Sequence, residues 1–332
     1  MTSQTSTMIR NFLTICFLPL ALFSGAVQAE TLYYNIAHAI NHSKYIDWAV
    51  REGANGIEAD LRFTDDGEVL KFQHGSPCEC RFPNLWGVLW KETEVCQQMM
   101  SVDPTYRPDP LLPDTVTVKS AKDACLVNET SRGFLNTLAG KSAIALFIVD
   151  SKVGDSVAKN DTARSAAGRN VIAALVADLF DKGYKGKVIV GVDKSKFQAY
   201  SKAAAEAARA TRYADRIYIS FDEDGNSTKK ARATIDLLTS FAAGKAVYGN
   251  GVTANWRGDF EDSFKAGVDA ESKGSVRMNY IWTLDKVASM TDYLALGVRG
   301  IMTNSPKNVM TALQPFTAPG KNGRMAKPED PL

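Results

Sequence analysis

Gly56-Ile57-Glu58-Ala59-Asp60-Leu61 is the stretch on which the fold turns. Successive side chains of a strand point to opposite faces. Glu58 and Asp60 therefore share one face, and Ile57, Ala59 and Leu61 share the other. The apolar face suits a covering layer of helices. The acidic face then points into an enclosed mouth, where two like charges are costly unless a cation lies between them.

On either side the chain alternates short β-rich apolar runs with amphipathic ones. Strands are predicted over 33–38, 56–62, 69–74, 144–150, 187–192, 216–221, 246–250, 277–283 and 299–303. Helices are predicted over 43–52, 165–182, 196–210, 229–243 and 285–296. Within 165–182, Ala167, Val171, Ala174, Leu175 and Leu179 fall on roughly one face. Buried strands alternating with helices make a parallel sheet. The fold expected is a (β/α)8 TIM barrel, which typically takes about 250 residues. Nine strands exceed the eight of such a barrel, so one is wrong or lies outside it, and 246–250 is the weakest of the nine.

The first 29 residues carry one charge, Arg10, then an apolar run from Phe12 to Phe23 and small residues ending in Val27-Gln28-Ala29. That is the pattern of a signal peptide cleaved after Ala29, and it implies secretion. The run is shorter than the roughly 20 residues that span a bilayer, and no other segment reads as transmembrane. Removing 29 of 332 residues leaves 303, expected to form one domain over 30–332. The net charge of +2 falls to +1 without Arg10, which leaves no electrostatic case for nucleic acid. With 45% hydrophobic residues the chain can bury a sizeable core. Nothing suggests oligomers, so a monomer is expected.

Residues 75–140 break the alternation and read as a long insertion after the third strand. They hold all four cysteines of the mature chain: Cys78, Cys80, Cys96 and Cys125. An even count in an exported protein points to two disulfides bracing the insertion. Cys78 and Cys80 are too close to pair comfortably with each other, and two cross-pairings stay open. A zinc site is the rival reading. Phe82, Leu85, Trp86, Val88, Leu89 and Trp90 follow closely. They suit either a lipid interface or a small core of the insertion's own.

The chemistry gathers in a few places. Asp150 ends another strand and completes a set of three carboxylates with Glu58 and Asp60. Such an all-oxygen site suits Mg²⁺ best, with Ca²⁺ and Mn²⁺ as alternatives. The chain has three histidines. His38 and His74 fall at the C-terminal ends of predicted strands, where barrels of this kind carry their active sites. His42 precedes a helix and reads as a cap or surface residue. Two imidazoles can exchange protons with an attacking group and a leaving oxygen. Lys152, two residues past Asp150, can offset phosphoryl charge. Trp282 can offer a π face to a quaternary ammonium, or pack in the core.

The set His38, Glu58-Ala59-Asp60, His74-Gly75-Ser76-Pro77-Cys78-Glu79-Cys80 and Asp150-Ser151-Lys152 resembles the sphingomyelinase D-like phospholipases of spider venoms, bacteria and fungi. These are a branch of the glycerophosphodiester phosphodiesterase-like barrels. The histidine-glycine-x-proline-cysteine-x-cysteine run is the most specific piece. Tyr280-Ile281-Trp282-Thr283-Leu284-Asp285-Lys286 and Gly300-Ile301-Met302-Thr303-Asn304-Ser305-Pro306 look like the family's last two strands. The tail Arg324–Pro331 resembles the one that closes the barrel bottom. The region after Cys80 is longer than the cysteine loop of the spider toxins.

The resemblance implies His38 and His74 as the acid/base pair and Glu58, Asp60 and Asp150 as ligands of Mg²⁺. It implies Lys152, Trp282 and Asn304, with Tyr280 and Asp285 nearby, around a phosphate and headgroup pocket. The implied activity is phospholipase D cleavage of sphingomyelin and lysophospholipids at a membrane surface, with intramolecular attack giving a cyclic phosphate. The alternatives are a glycerophosphodiester phosphodiesterase acting on small soluble diesters and an inactive barrel that binds lipid or protein.

Overall fold

The structure, a computed structural model, describes residues 30–74, 129–223, 225–251 and 260–332. The expected signal peptide, the four mature cysteines and the aromatic run from Phe82 to Trp90 lie outside the described residues. Ten strands are described: β1 Thr31–Ala37, β2 Gly56–Phe63, β3 Val69–Phe72, β4 Leu146–Ser151, β5 Lys187–Val192, β6 Ile217–Glu223, β7 Ala246–Gly251, β8 Asn279–Trp282, β9 Gly300–Thr303 and β10 Gly323–Met325. Eight of them, β1, β2 and β4 to β9, pair in parallel in chain order. The sheet closes because β1 pairs with both β2 and β9. Helices follow the strands, and the (β/α)8 barrel expected from the alternation is the observed fold.

The odd strand differs from the expectation. Residues 246–250 lie in the barrel as β7. The strand outside it is β3, which folds back antiparallel on β2, with Leu61 opposite Phe72 and Arg62 opposite Lys71. Only Thr64–Glu68 separate β2 from β3. A parallel return needs a crossover of a dozen or more residues, so five can make only a hairpin. The interruption of the alternation is also shorter than 75–140. Ser131–Ala139 is a helix capped by Thr130, with Phe134, Leu135 and Leu138 buried. Phe134 packs at a tilt against Phe72 and Phe147, and Phe72 meets Phe147 edge-on, which ties the hairpin strand to the outside of β4.

Period-two alternation divides the apolar core into two layers. Ile57, Ala59 and Leu61 of β2 and Phe147 and Val149 of β4 pack outward against helices. Ile36, Leu146, Ile148, Ile189, Val247 and Met302 fill the barrel itself. The C-terminal tail seals the lower end. β10 pairs with the start of β1, and Ala326 and Leu332 join the inner cluster. The Asn55 amide donates to the Ala326 carbonyl (2.9 Å), and Lys187 Nζ donates to the Pro328 carbonyl (2.7 Å). The tail, polar and without periodicity in sequence, is therefore anchored through its backbone. The tail thus covers the N-terminal ends of the strands and leaves the site to their C-terminal ends.

Candidate active site and metal centre

Glu58 and Asp60 sit on the inward face of β2 and are 2% and 1% exposed. The register of β2 with β4 sets Asp60 directly beside Asp150. Glu58, Asp60 and Asp150 each present a carboxylate oxygen within 4.8 Å of the others. Asp150 is the next-to-last residue of β4, on the same face as Ile148 below it. Lys152 Nζ lies between two of the acids, 2.8 Å from Asp60 Oδ1 and 2.6 Å from Asp150 Oδ2.

The electrostatics follow from this crowding. Burial and then the charges of Asp60 and Asp150 push the Glu58 carboxyl well above the usual carboxylate range. Burial alone would also raise Asp60, but Lys152, His74 and His38 outweigh it and hold Asp60 far below that range. Burial works against the Lys152 ammonium, yet Asp150 and Asp60 raise it well above an ordinary lysine. Lys152 is a permanent cation here.

Among the described residues, two acceptors in this group have no donor: Glu58 Oε1 and Asp150 Oδ1 are both buried and without a partner there. Their sister oxygens are held, Glu58 Oε2 by the Ala39 N–H (2.8 Å) and Asp150 Oδ2 by Lys152. Buried carboxylate oxygens without partners are costly. Three acids less one lysine leave a formal charge of −2 when all are ionised. Charge, hardness of the ligand atoms and the orphaned oxygens all fit a divalent cation.

His38 follows β1 at the same end. Its Nδ1 is 2.9 Å from Asn304 Oδ1, and its Nε2 is 3.9 Å from Glu58 Oε2. Asp285 fixes the orientation of Asn304. The Asn304 backbone N–H and Nδ2 donate to Asp285 Oδ1 (2.8 Å) and Oδ2 (3.3 Å). The amide oxygen must then face the imidazole and accept from Nδ1–H. That leaves the Nε2 lone pair directed at the acids. Burial, with 24% of the side chain still exposed, lowers the His38 pKa below the ordinary histidine value, and Asp60 offsets this only in part. His74 reaches the mouth by a different route from the one expected. It follows β3, the returning arm of the hairpin, where Gln73 N–H donates to the Asp60 carbonyl (2.8 Å). The Arg62 guanidinium donates to the His74 carbonyl.

The remaining expected residues occupy distinct places. Trp282 ends β8, half-buried, against the inner cluster, with its indole N–H buried and without a partner among the described residues. Asp285 is buried and also accepts from Thr303 Oγ1 (2.8 Å). Tyr280 is fully buried in the barrel, and its hydroxyl donates to Asp222. His42 caps the turn Ser43–Tyr45 as read from sequence, and it lies 3.4 Å from Glu129. Two residues of the site were not foreseen. Asn41 bonds Asp60, and Asp222 lies inside β6 with its pKa pushed up to about 7 by burial and by Asp150. Ser220 and Asp222 alternate on their strand as Glu58 and Asp60 do, so the same period-two reading applied to 216–221 and one residue beyond would have found Asp222.

A carboxylate centre flanked by two imidazoles at the mouth of such a barrel finds counterparts among known proteins. Residues 29–83 and 135–331 match the family model of Dermonecrotic toxin SPH. The dermonecrotic toxin LiSicTox-betaIA1ii of Loxosceles intermedia is 26% identical over 305 residues, 90% of this chain and 88% of that one. LbSicTox-betaIA1a of Loxosceles boneti is 26% identical over 288 residues, covering 84% and 90%. A glycerophosphodiester phosphodiesterase from Parabacteroides distasonis shares the fold at a TM-score of 0.50 and 14% identity, covering 85% of this chain and 98% of the other. The likeness to the solved structure is one of fold class, the (β/α)8 barrel. Within that class the chain belongs to the dermonecrotic toxin SPH family.

Proposed function

We propose that this chain is a secreted, Mg²⁺-dependent phospholipase D that removes the headgroup from sphingomyelin and lysophospholipids. The observation that carries this reading is the pair of buried oxygens on Glu58 and Asp150 that have no partner among the described residues, beside His38, whose pKa burial lowers. Glu58, Asp60 and Asp150 would hold the ion. Bound there, Mg²⁺ supplies positive charge against the phosphoryl oxygens.

The chain's own residues handle the protons and the fit. A hydroxyl of the lipid attacks its own phosphorus. A new P–O bond closes a cyclic phosphate, and the P–O bond to the headgroup breaks. His38 and His74 take the proton from the attacking hydroxyl and deliver one to the departing oxygen. With Nδ1–H held by Asn304, His38 is formed to accept at Nε2. Lys152 adds fixed positive charge next to the acids, Asn304 and Asp285 set the imidazole, and Trp282 offers its ring to a quaternary ammonium. The leader over 1–29, the mature domain over 30–332, a monomeric state and disulfides among Cys78, Cys80, Cys96 and Cys125 complete the proposal. Among the described residues no helix is long and apolar enough to cross a membrane.

Phosphorus NMR on lysophosphatidylcholine and on glycerophosphocholine tests the substrate class. A cyclic phosphate signal from the lipid is expected; turnover of the soluble diester alone would replace the lipid reading with a glycerophosphodiester phosphodiesterase. Asn304→Ala removes one hydrogen bond to the imidazole. At about 1–1.5 kcal/mol for that bond, kcat is expected to fall about tenfold. Nitrogen chemical shifts of His38 should show the lost tautomer preference; an unchanged shift would remove Asn304 from this role.

A further inference from the structure

The turn that follows His38 grips β2 at successive positions. Ala39 has φ 54°, a left-handed conformation that residues with a Cβ enter rarely. In this conformation its N–H reaches Glu58 Oε2 (2.8 Å), and the next N–H, of Ile40, donates to the Glu58 carbonyl (2.8 Å). Asn41, only 4% exposed, then makes a reciprocal pair of bonds with Asp60. Its Nδ2 donates to Asp60 Oδ2 (2.8 Å), and its Oδ1 accepts from the Asp60 N–H (2.7 Å). The other Asp60 oxygen meets Lys152.

We propose that Asn41 is a positioning residue of the metal centre, fixing the plane of the Asp60 carboxylate and so setting affinity for the divalent cation. This rests on Glu58, Asp60 and Asp150 being the metal ligands. The terminal torsion of an aspartate is broad. Lys152, on a flexible four-carbon stem, restrains one oxygen as a point charge. The Asn41 amide restrains the other and also ties the carboxylate to its own backbone N–H. Both ends of the Asp60 side chain are thereby referenced to one rigid amide. Being neutral, Asn41 does this without adding a fourth negative charge. Groups of this kind orient metal ligands, and losing one typically costs about 10–100-fold in metal affinity.

The test is calorimetric titration of Mg²⁺ into metal-free wild type, Asn41→Ala and Ser43→Ala, with melting curves of each. Ser43 lies in the same turn and bonds Glu129 (2.7 Å), away from the acids, so Ser43→Ala loosens the turn without touching Asp60. Asn41→Ala is expected to bind Mg²⁺ about 10–100-fold more weakly and Ser43→Ala as tightly as wild type. Asn41→Gln, which keeps an amide one methylene further out, is expected to bind with intermediate affinity and serves if the alanine variant does not fold. Wild-type affinity in the Asn41 variants overturns the proposal, as does an equal loss in Ser43→Ala. Wild-type protein that binds no divalent ion overturns the metal reading itself.

Discussion

Replacing His38 with alanine is expected to lower kcat by about 10²–10⁴-fold, the usual worth of a positioned acid or base, while the fold survives. His38 belongs to neither core cluster, and its side-chain contacts are with Asn304 and the acids. Circular dichroism and the melting temperature should therefore stay near wild type while turnover collapses. His74→Ala is expected to behave alike, since His74 is exposed on the returning hairpin. Unchanged turnover in either variant would refute the acid/base assignment. The pH profile adds a second check. Burial lowers the His38 pKa, and a neighbouring metal ion would lower it further. If His38 is the base, the acidic limb of kcat/KM lies below the ordinary histidine value of about 6.5. A limb at or above that value would leave the accepting role to another group.

Much of this was legible because strand periodicity is a strong constraint. Once Ile57, Ala59 and Leu61 face helices, Glu58 and Asp60 have only the barrel mouth to occupy. The hydrogen-bond register with β4 then brings Asp150 alongside, a non-local fact that only the closed sheet supplies. Two errors have plain physical causes. β7, Ala246–Gly251, was read as the weakest strand, yet it lies in the barrel and its glycines allow close approach. A Cβ on Gly249 would collide with Asp222 Oδ1 and the Tyr280 hydroxyl. β3 looked like a barrel strand because its composition is that of one, although the five-residue connection before it already demanded a hairpin. Asn41 was illegible for a different reason. It sits in a turn, where no periodicity assigns a face, and its meaning comes entirely from the reciprocal bonds with Asp60.

Removing the divalent cation with EDTA is expected to abolish turnover, and Mg²⁺ to restore it, because the centre is unbalanced without the ion. With the three acids ionised, Lys152 neutralises only one of them. In the metal-free protein burial and the neighbouring acids push the Glu58 carboxyl well above its usual value of about 4.3, which favours a proton there. The signs then follow. A raised folded-state pKa favours the native state below the unfolded value, and that contribution is lost as pH rises through the folded value. Asp60, held low, acts oppositely: its contribution is present above the unfolded value and is lost as pH falls through the folded one. In EDTA, melting temperature should fall as pH rises through the range where Glu58 ionises. Mg²⁺ at about 100 times its Kd should add about 2.7 kcal/mol of stability. Since the ligands must be deprotonated, Mg²⁺ binding should release protons and tighten with pH. Calorimetry in buffers of different ionisation enthalpy measures that release directly. Full activity in metal-free buffer, or binding without proton release at neutral pH, would contradict a centre in which Glu58 trades its proton for the metal.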